Sequence, residues 1–157
     1  MSTWWIHEPF VLGSANPTDE ELEELRTRGF TVLVTLLDEN EQSPRYDSNT
    51  PQALGYVQYS IPIRDFHAPS TAQLFEFTKL MESLPPDSKL LIRCEGGTGR
   101  TGTMAAAYWI AKGVTPDTAI ERVRKARRGA IETPEQEAVL RVFASQLQNA
   151  RRGTNSD

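Results

Sequence analysis

The chain alternates short apolar runs, often rich in β-branched residues, with longer stretches in which apolar residues return at helical spacing. Trp4-Trp5-Ile6 and Phe10-Val11-Leu12 read as two short strands joined by a turn at Pro9, with both tryptophans as core or edge packing. Thr31 to Leu37, Tyr56 to Pro62 and Lys89 to Arg93 are strands by residue type and length. Helices fill the gaps. Thr18 caps the first, with Glu21 three residues on, Leu22 and Leu25 on its inner face and Gly29 at its end. Ser70 caps a second, reaching Leu84 through Leu74, Phe77, Leu80 and Met81. Thr101 to Lys112 is apolar almost all round, which predicts a central, buried helix. Pro116 opens a helix to about Arg128. Thr133 and Pro134 open the last, with Ala138, Val139, Val142, Phe143 and Leu147 as its buried face and fraying expected from about Asn149.

Strands alternating with helices predict an α/β fold: a mostly parallel central sheet flanked by helices on both faces. The polar segments 38–51, with room for a short helical turn, 64–69 and 94–100 each follow a strand. Functional loops of such folds gather at the carboxyl ends of the strands, so the topology should bring these three together. The expected organisation is one catalytic domain over 1–150 and a disordered tail over 151–157.

Composition narrows the function. A net charge of -4, from 21 acidic and 17 basic residues, argues against nucleic acid or an acidic membrane as partner but leaves room for a local anion site. A single cysteine makes no internal disulfide and suits a reducing compartment. The start shows no secretory pattern and no apolar run is long enough to span a bilayer, so a cytoplasmic location is expected. The two histidines, His7 and His67, have no metal-ligand spacing, so no metal or other cofactor is expected.

The chemistry lies in Cys94-Glu95-Gly96-Gly97-Thr98-Gly99-Arg100, between a strand and a helix. Its three glycines let the backbone turn tightly with the amides of Glu95, Gly96, Gly97, Thr98, Gly99 and Arg100 facing inward, a concavity that binds anions. The helix start adds its positive end to the same place. Cys94 in that field favours the thiolate, the nucleophilic form, and the planar fork of Arg100 can hold two phosphate oxygens. Alone, Cys94 could be a core thiol, the glycines a turn and Arg100 a surface cation; together they point to phosphoryl chemistry. Two rival motifs fit poorly. Gly97-Thr98-Gly99-Arg100-Thr101-Gly102 matches the dinucleotide-binding glycine pattern, but no strand follows it to build the second half. A P-loop needs lysine before Thr101, where Arg100 stands.

Cys94-x5-Arg100-Thr101-Gly102 resembles the signature of the protein tyrosine and dual-specificity phosphatases, particularly the small atypical dual-specificity enzymes. The likeness extends to Pro62 through Pro69 and to Gly129 through Gln136. It implies a phosphotyrosine-phosphatase-like fold and hydrolysis through a phosphocysteine. Cys94 would attack phosphorus while the loop amides and Arg100 hold the oxygens. Thr101 would steady the leaving thiolate. Asp65 would protonate the departing oxygen and then activate water, with Asp38 and Glu39 as alternatives, and Gln136 would position that water. Two features depart from or refine the likeness. Relatives usually carry histidine before the nucleophile, where this chain has Arg93, and Glu95 places a carboxylate in the loop. That carboxylate should repel inositol phosphates. The expected substrates are phosphoproteins (Tyr, and possible for Ser/Thr) or small phosphomonoesters, with phosphate, sulfate or vanadate as site ligands. The alternatives are a silent phosphate-binding module and a phosphatase acting on inositol phosphate or polyphosphate. Arg127 and Arg128 could draw anions inward, and Ser14 and Asn16 are candidate braces of the loop.

Overall fold

The structure, a computed structural model, describes residues 2–155. Strands β1 (Thr3–His7), β2 (Val11–Ser14), β3 (Val32–Thr35), β4 (Val57–Ser60) and β5 (Leu90–Arg93) form one sheet in the order β1-β2-β5-β3-β4. Only β1 runs antiparallel, to β2; the β2–β5, β5–β3 and β3–β4 pairs are parallel. The expected mostly parallel sheet is therefore present, with β5 at its centre.

Helices α1 (Asp19–Thr27), α2 (Thr50–Ala53), α3 (Thr71–Ser83), α4 (Gly99–Ala111), α5 (Pro116–Ala126) and α6 (Pro134–Asn155) complete the chain. Alternate residues of β5 explain the two layers. Leu90 and Ile92 join the larger core, with Met104, Ala105 and Ala106 of α4 and Phe143 of α6, while Leu91 joins Leu22 and Leu25 of α1 on the other face. Ser70 caps α3 in a reciprocal box with Gln73. Helix α4 is buried from Gly99 to Tyr108, as its sequence predicts. A central helix with its first turn directly after the central strand places residues 94–100 at the middle of the sheet's carboxyl edge.

Two expectations need correction. Val142 is 48% exposed and Ala138 is exposed; the buried stripe of α6 runs instead through Gln136, Leu140 and Phe143. Gln136 can occupy that stripe because its amide is bonded locally, as described below. Helix α6 also continues to Asn155, past the expected fraying point and into the segment read as a tail; residues 156 and 157 lie outside the described residues.

At the opposite end of α4 from residues 94–100, His7 Nδ1 lies 2.5 Å from Tyr108 Oη, with the His7 ring against Trp109. Burial, helped by Lys112 and Arg122, pulls the His7 pKa below its usual 6.5. The native state thus resists a proton that the unfolded chain accepts, so stability is intact above 6.5 and falls as pH drops toward the lowered native value. Urea midpoints measured from about pH 8 to about pH 5 should fall further for the wild type than for His7→Gln. Parallel curves would remove His7 from this dependence.

Candidate active site

The end of β5 delivers Cys94, and α4 begins five residues later at Gly99. Cys94 is 2% exposed. Its Sγ accepts hydrogen bonds from the Gly97 N–H at 3.2 Å and the Thr101 hydroxyl at 3.0 Å. Both donors point at the sulfur, and the first turn of α4 presents its positive end to the same atom. The loop has little choice of residue at Gly97. Its φ is 73°, and a Cβ there would lie 2.6 Å from Ala15 N and 2.7 Å from the Ser14 carbonyl carbon. Those backbone atoms end β2, so the neighbouring strand moulds the turn.

Arg100 is 1% exposed. Nη1 donates to Ile63 O at 2.9 Å, and Nη2 donates to Gln42 Oε1 at 2.8 Å and lies 3.2 Å from Asp65 Oδ1. Gln42 Nε2 in turn donates to Asp65 Oδ2 at 2.9 Å, and Glu41 Oε1 accepts the Asp65 N–H at 2.6 Å. The three loops expected to converge do so here: 38–51 through Glu41 and Gln42, 64–69 through Asp65, and 94–100 through Arg100.

The other candidates fall as follows. Asp38 caps its own turn, accepting from the Asn40 N–H, and Glu39 is exposed; neither is among the partners of Arg100. Gln136 is fully buried. Its Oε1 accepts from the Glu132 and Thr133 N–H groups, and its Nε2 donates to His67 O at 3.1 Å, tying the start of α6 to the loop that carries Asp65. Asn16 does brace the loop: Nδ2 donates to Glu95 Oε2 and Ser43 O, and Oδ1 accepts from the Arg45 N–H. The Ser14 carbonyl accepts from the Cys94 N–H at 3.4 Å. Arg127 reaches the loop's outer side, 3.5 Å from Gly96 O, whereas Arg128 is simply exposed.

Arg93 points neither at the loop nor at solvent. Strand alternation turns it to the face opposite Cys94, 1% exposed, where Nη2 donates to Tyr46 Oη at 2.5 Å and the guanidinium lies 4.8 Å from the centre of the Tyr46 ring. Its Nε and Nη1 have no protein partner among the described residues.

Four contributors went unread in the sequence. Glu41 and Gln42 hold Arg100 and Asp65. Glu132 bonds the Thr98 hydroxyl and lies against Gly99. Trp4, read only as packing, is a core residue that also donates its indole N–H to Gly97 O at 2.8 Å. Chain distance hides all four; only the Thr98–Gly99 and Gly129–Gln136 segments carried any local hint, through their glycines.

Comparison with known proteins agrees with this geometry. The family described as "Polymorphic toxin system, DSP-PTPase phosphatase" matches residues 10–114. The Dictyostelium discoideum "Probable protein tyrosine phosphatase type IVA A" is 32% identical over 122 residues, covering 73% of this chain and 70% of that protein. The Bos taurus "Protein tyrosine phosphatase domain-containing protein 1" is 27% identical across 91% of this chain, which spans only 20% of that longer protein. The crystal structure of Tk-PTP in its active form superposes with a TM-score of 0.84 at 34% identity, covering 92% of this chain and 97% of its own. With its single cysteine seated among a helix start, a buried arginine and a threonine hydroxyl, the chain belongs to the protein tyrosine and dual-specificity phosphatases, cysteine-dependent hydrolases of phosphomonoesters.

Proposed function

We propose that the chain dephosphorylates phosphotyrosyl side chains and small aryl phosphates in two steps. The observation that carries this reading is the Cys94 sulfur held by Thr101 Oγ1 and the Gly97 N–H beside buried Arg100. The Cys94 thiolate attacks phosphorus in line while Arg100 and the loop amides of Glu95 to Arg100 take the equatorial oxygens. Asp65 gives its proton to the departing oxygen and then takes one from the attacking water. As water cleaves the S–P bond, the Thr101 hydroxyl holds the returning thiolate. Gln136 keeps one amide hydrogen beyond that given to His67 O, and this is the group that orients the water.

Two features of the rim favour aryl esters over inositol phosphates. Phe66, next to Asp65, is 62% exposed with φ at 61°, a conformation that a non-glycine residue adopts only when its surroundings impose it. This exposed ring sits one residue from Asp65, to which the Phe66 N–H donates. Glu95, Glu132 and Glu41 surround the same mouth with carboxylates that oppose a polyanion.

Turnover of a phosphotyrosyl peptide, a phosphoseryl peptide and an inositol polyphosphate, each in excess EDTA, tests the reading. The tyrosyl peptide should be hydrolysed at least about tenfold faster than the others in kcat/KM. Faster turnover of the inositol phosphate would overturn the substrate class. Asp65→Asn should slow phenyl phosphate by about a hundredfold and 4-nitrophenyl phosphate far less, because only the poor leaving group needs a proton. Equal slowing of both would take the acid role from Asp65.

A further inference from the structure

We propose that Arg124, on α5 and outside the reactive loop, is a positioning residue for the second step: its guanidinium locks the backbone turn at Ile131 that holds Gln136 in place. The inference rests on the water-orienting role given to Gln136 above.

Ile131 is buried, with φ at 59°. A β-branched residue holds that conformation only when its surroundings impose it. The fork of Arg124 supplies the constraint. Nε donates to Ala130 O at 3.0 Å, and Nη2 donates to Ile131 O at 2.9 Å. These two carbonyls lie on either side of the Ile131 N–Cα bond, the bond about which φ turns. A rigid planar group bound to both resists that rotation. Nη2 also lies 3.5 Å from Glu137 Oε2, a partly exposed ion pair that adds little by itself.

Relaxation of that bond would not disturb the segment evenly. The Ile131 N–H, which donates to Thr98 O at 3.3 Å, stands before the bond and can stay in place. Everything after the bond turns. The next two N–H groups, of Glu132 and Thr133, are those that Gln136 Oε1 accepts at 2.8 and 3.2 Å. They set Gln136 against the reactive loop, where a Cβ on Gly99 would lie 3.3 Å from its Nε2. The Glu132 side chain would leave the Thr98 hydroxyl, but Thr98 O keeps the N–H groups of Gly102 and Ile131. In the second step an oxygen of water bonds to phosphorus, the S–P bond breaks with its electron pair on sulfur, and a proton of the water passes to Asp65. Loss of Arg124 should slow that step and spare the first, which uses no water.

The test uses 4-nitrophenyl phosphate with the wild type, Arg124→Lys, Arg124→Met and Gln136→Leu, and thermal melts to confirm folding. kcat/KM reports the first step, which ends with release of the phenol. The second has its own rate constant: kcat divided by the fraction of enzyme present as phosphocysteine, read by intact mass after rapid quenching at saturation. Arg124→Lys and Arg124→Met should both lower that constant by about fivefold, with kcat/KM within about twofold of the wild type. A brace for general loop shape would lower both quantities together, so an equal fall, or no fall, overturns the proposal. Rescue by lysine, which keeps the charge facing Glu137 without the fork, overturns it too. If Gln136→Leu leaves the second step unchanged, the water-orienting role falls and the proposal with it. If Gln136→Leu slows that step and the Arg124 variants do not, only the role of Arg124 falls.

Discussion

Cys94→Ser is expected to reduce turnover of a phosphotyrosyl peptide by at least about 10⁴-fold while leaving anion binding intact. Serine is smaller, but its oxygen can still accept from Thr101 Oγ1 and the Gly97 N–H, the two donors that meet sulfur in the native site. The loop should therefore keep its shape. What is lost is the anionic nucleophile, since a serine hydroxyl does not ionise near neutral pH and the partners of this position are the Gly97 N–H and the Thr101 hydroxyl, while His67 Nδ1 meets Asp65 O and His7 Nδ1 meets Tyr108 Oη. Titration with tungstate, followed by calorimetry, would report binding separately from catalysis. The expected pair of results is undiminished tungstate affinity and no measurable burst of released phenol. Residual turnover within a factor of about ten of the wild type would mean that another group attacks phosphorus.

The second large effect belongs to Arg100. Arg100→Lys should lower kcat/KM by about 10³-fold, and mostly through kcat, because the paired contact to two phosphoryl oxygens matters most as charge redistributes in the transition state. A lysine ammonium is a single point donor and cannot reach Ile63 O, Gln42 Oε1 and a phosphate together, whereas the guanidinium fork can span them. Arg100→Ala should be worse for the fold as well. It leaves Asp65 and Glu41 facing each other across Gln42 without the cation that now lies 3.2 Å from one and 4.0 Å from the other. Stopped-flow kinetics with 4-nitrophenyl phosphate, set beside thermal melts, would distinguish the two variants. A loss confined to KM in Arg100→Lys would show that the arginine only gathers substrate.

How far these outcomes were foreseeable from the chain alone depends on how local each contributor is. Cys94 to Arg100 is one contiguous turn, so its nucleophile, glycines and guanidinium were visible together. The convergence of the segments at 38–51 and 64–69 on it was visible too, since strand order follows from alternating strands and helices. The identity of the contacting residues within those segments was not. Asp38 and Glu39 come earlier after β3 and looked closer to the site, yet the chain turns over Asp38, whose carboxylate and carbonyl hold Asn40, Glu41 and Gln42 in a tight bend, and it is Glu41 and Gln42 that reach Arg100. Side-chain direction within a turn has no periodic signal. Helix α6 failed for the opposite reason: a periodic rule was applied too strictly. Apolar Ala138 and Val142 looked like buried positions, but polar Gln136 sets the phase, because two backbone N–H groups and His67 O satisfy its amide inside the protein. Arg93 shows a third kind of limit. Its place beside Cys94 in sequence left its direction open, and strand alternation sends it to Tyr46 on the far face.

The bond from Trp4 to Gly97 joins positions 93 apart in the chain. It makes the outermost, antiparallel strand a scaffold for the reactive turn at the centre. A polypeptide shortened ahead of β2 would retain every group that touches phosphate. It would lack the indole that sets the tilt of one peptide plane between sulfur and helix. The geometry of the reactive turn therefore depends on docking of the sheet's edge strand.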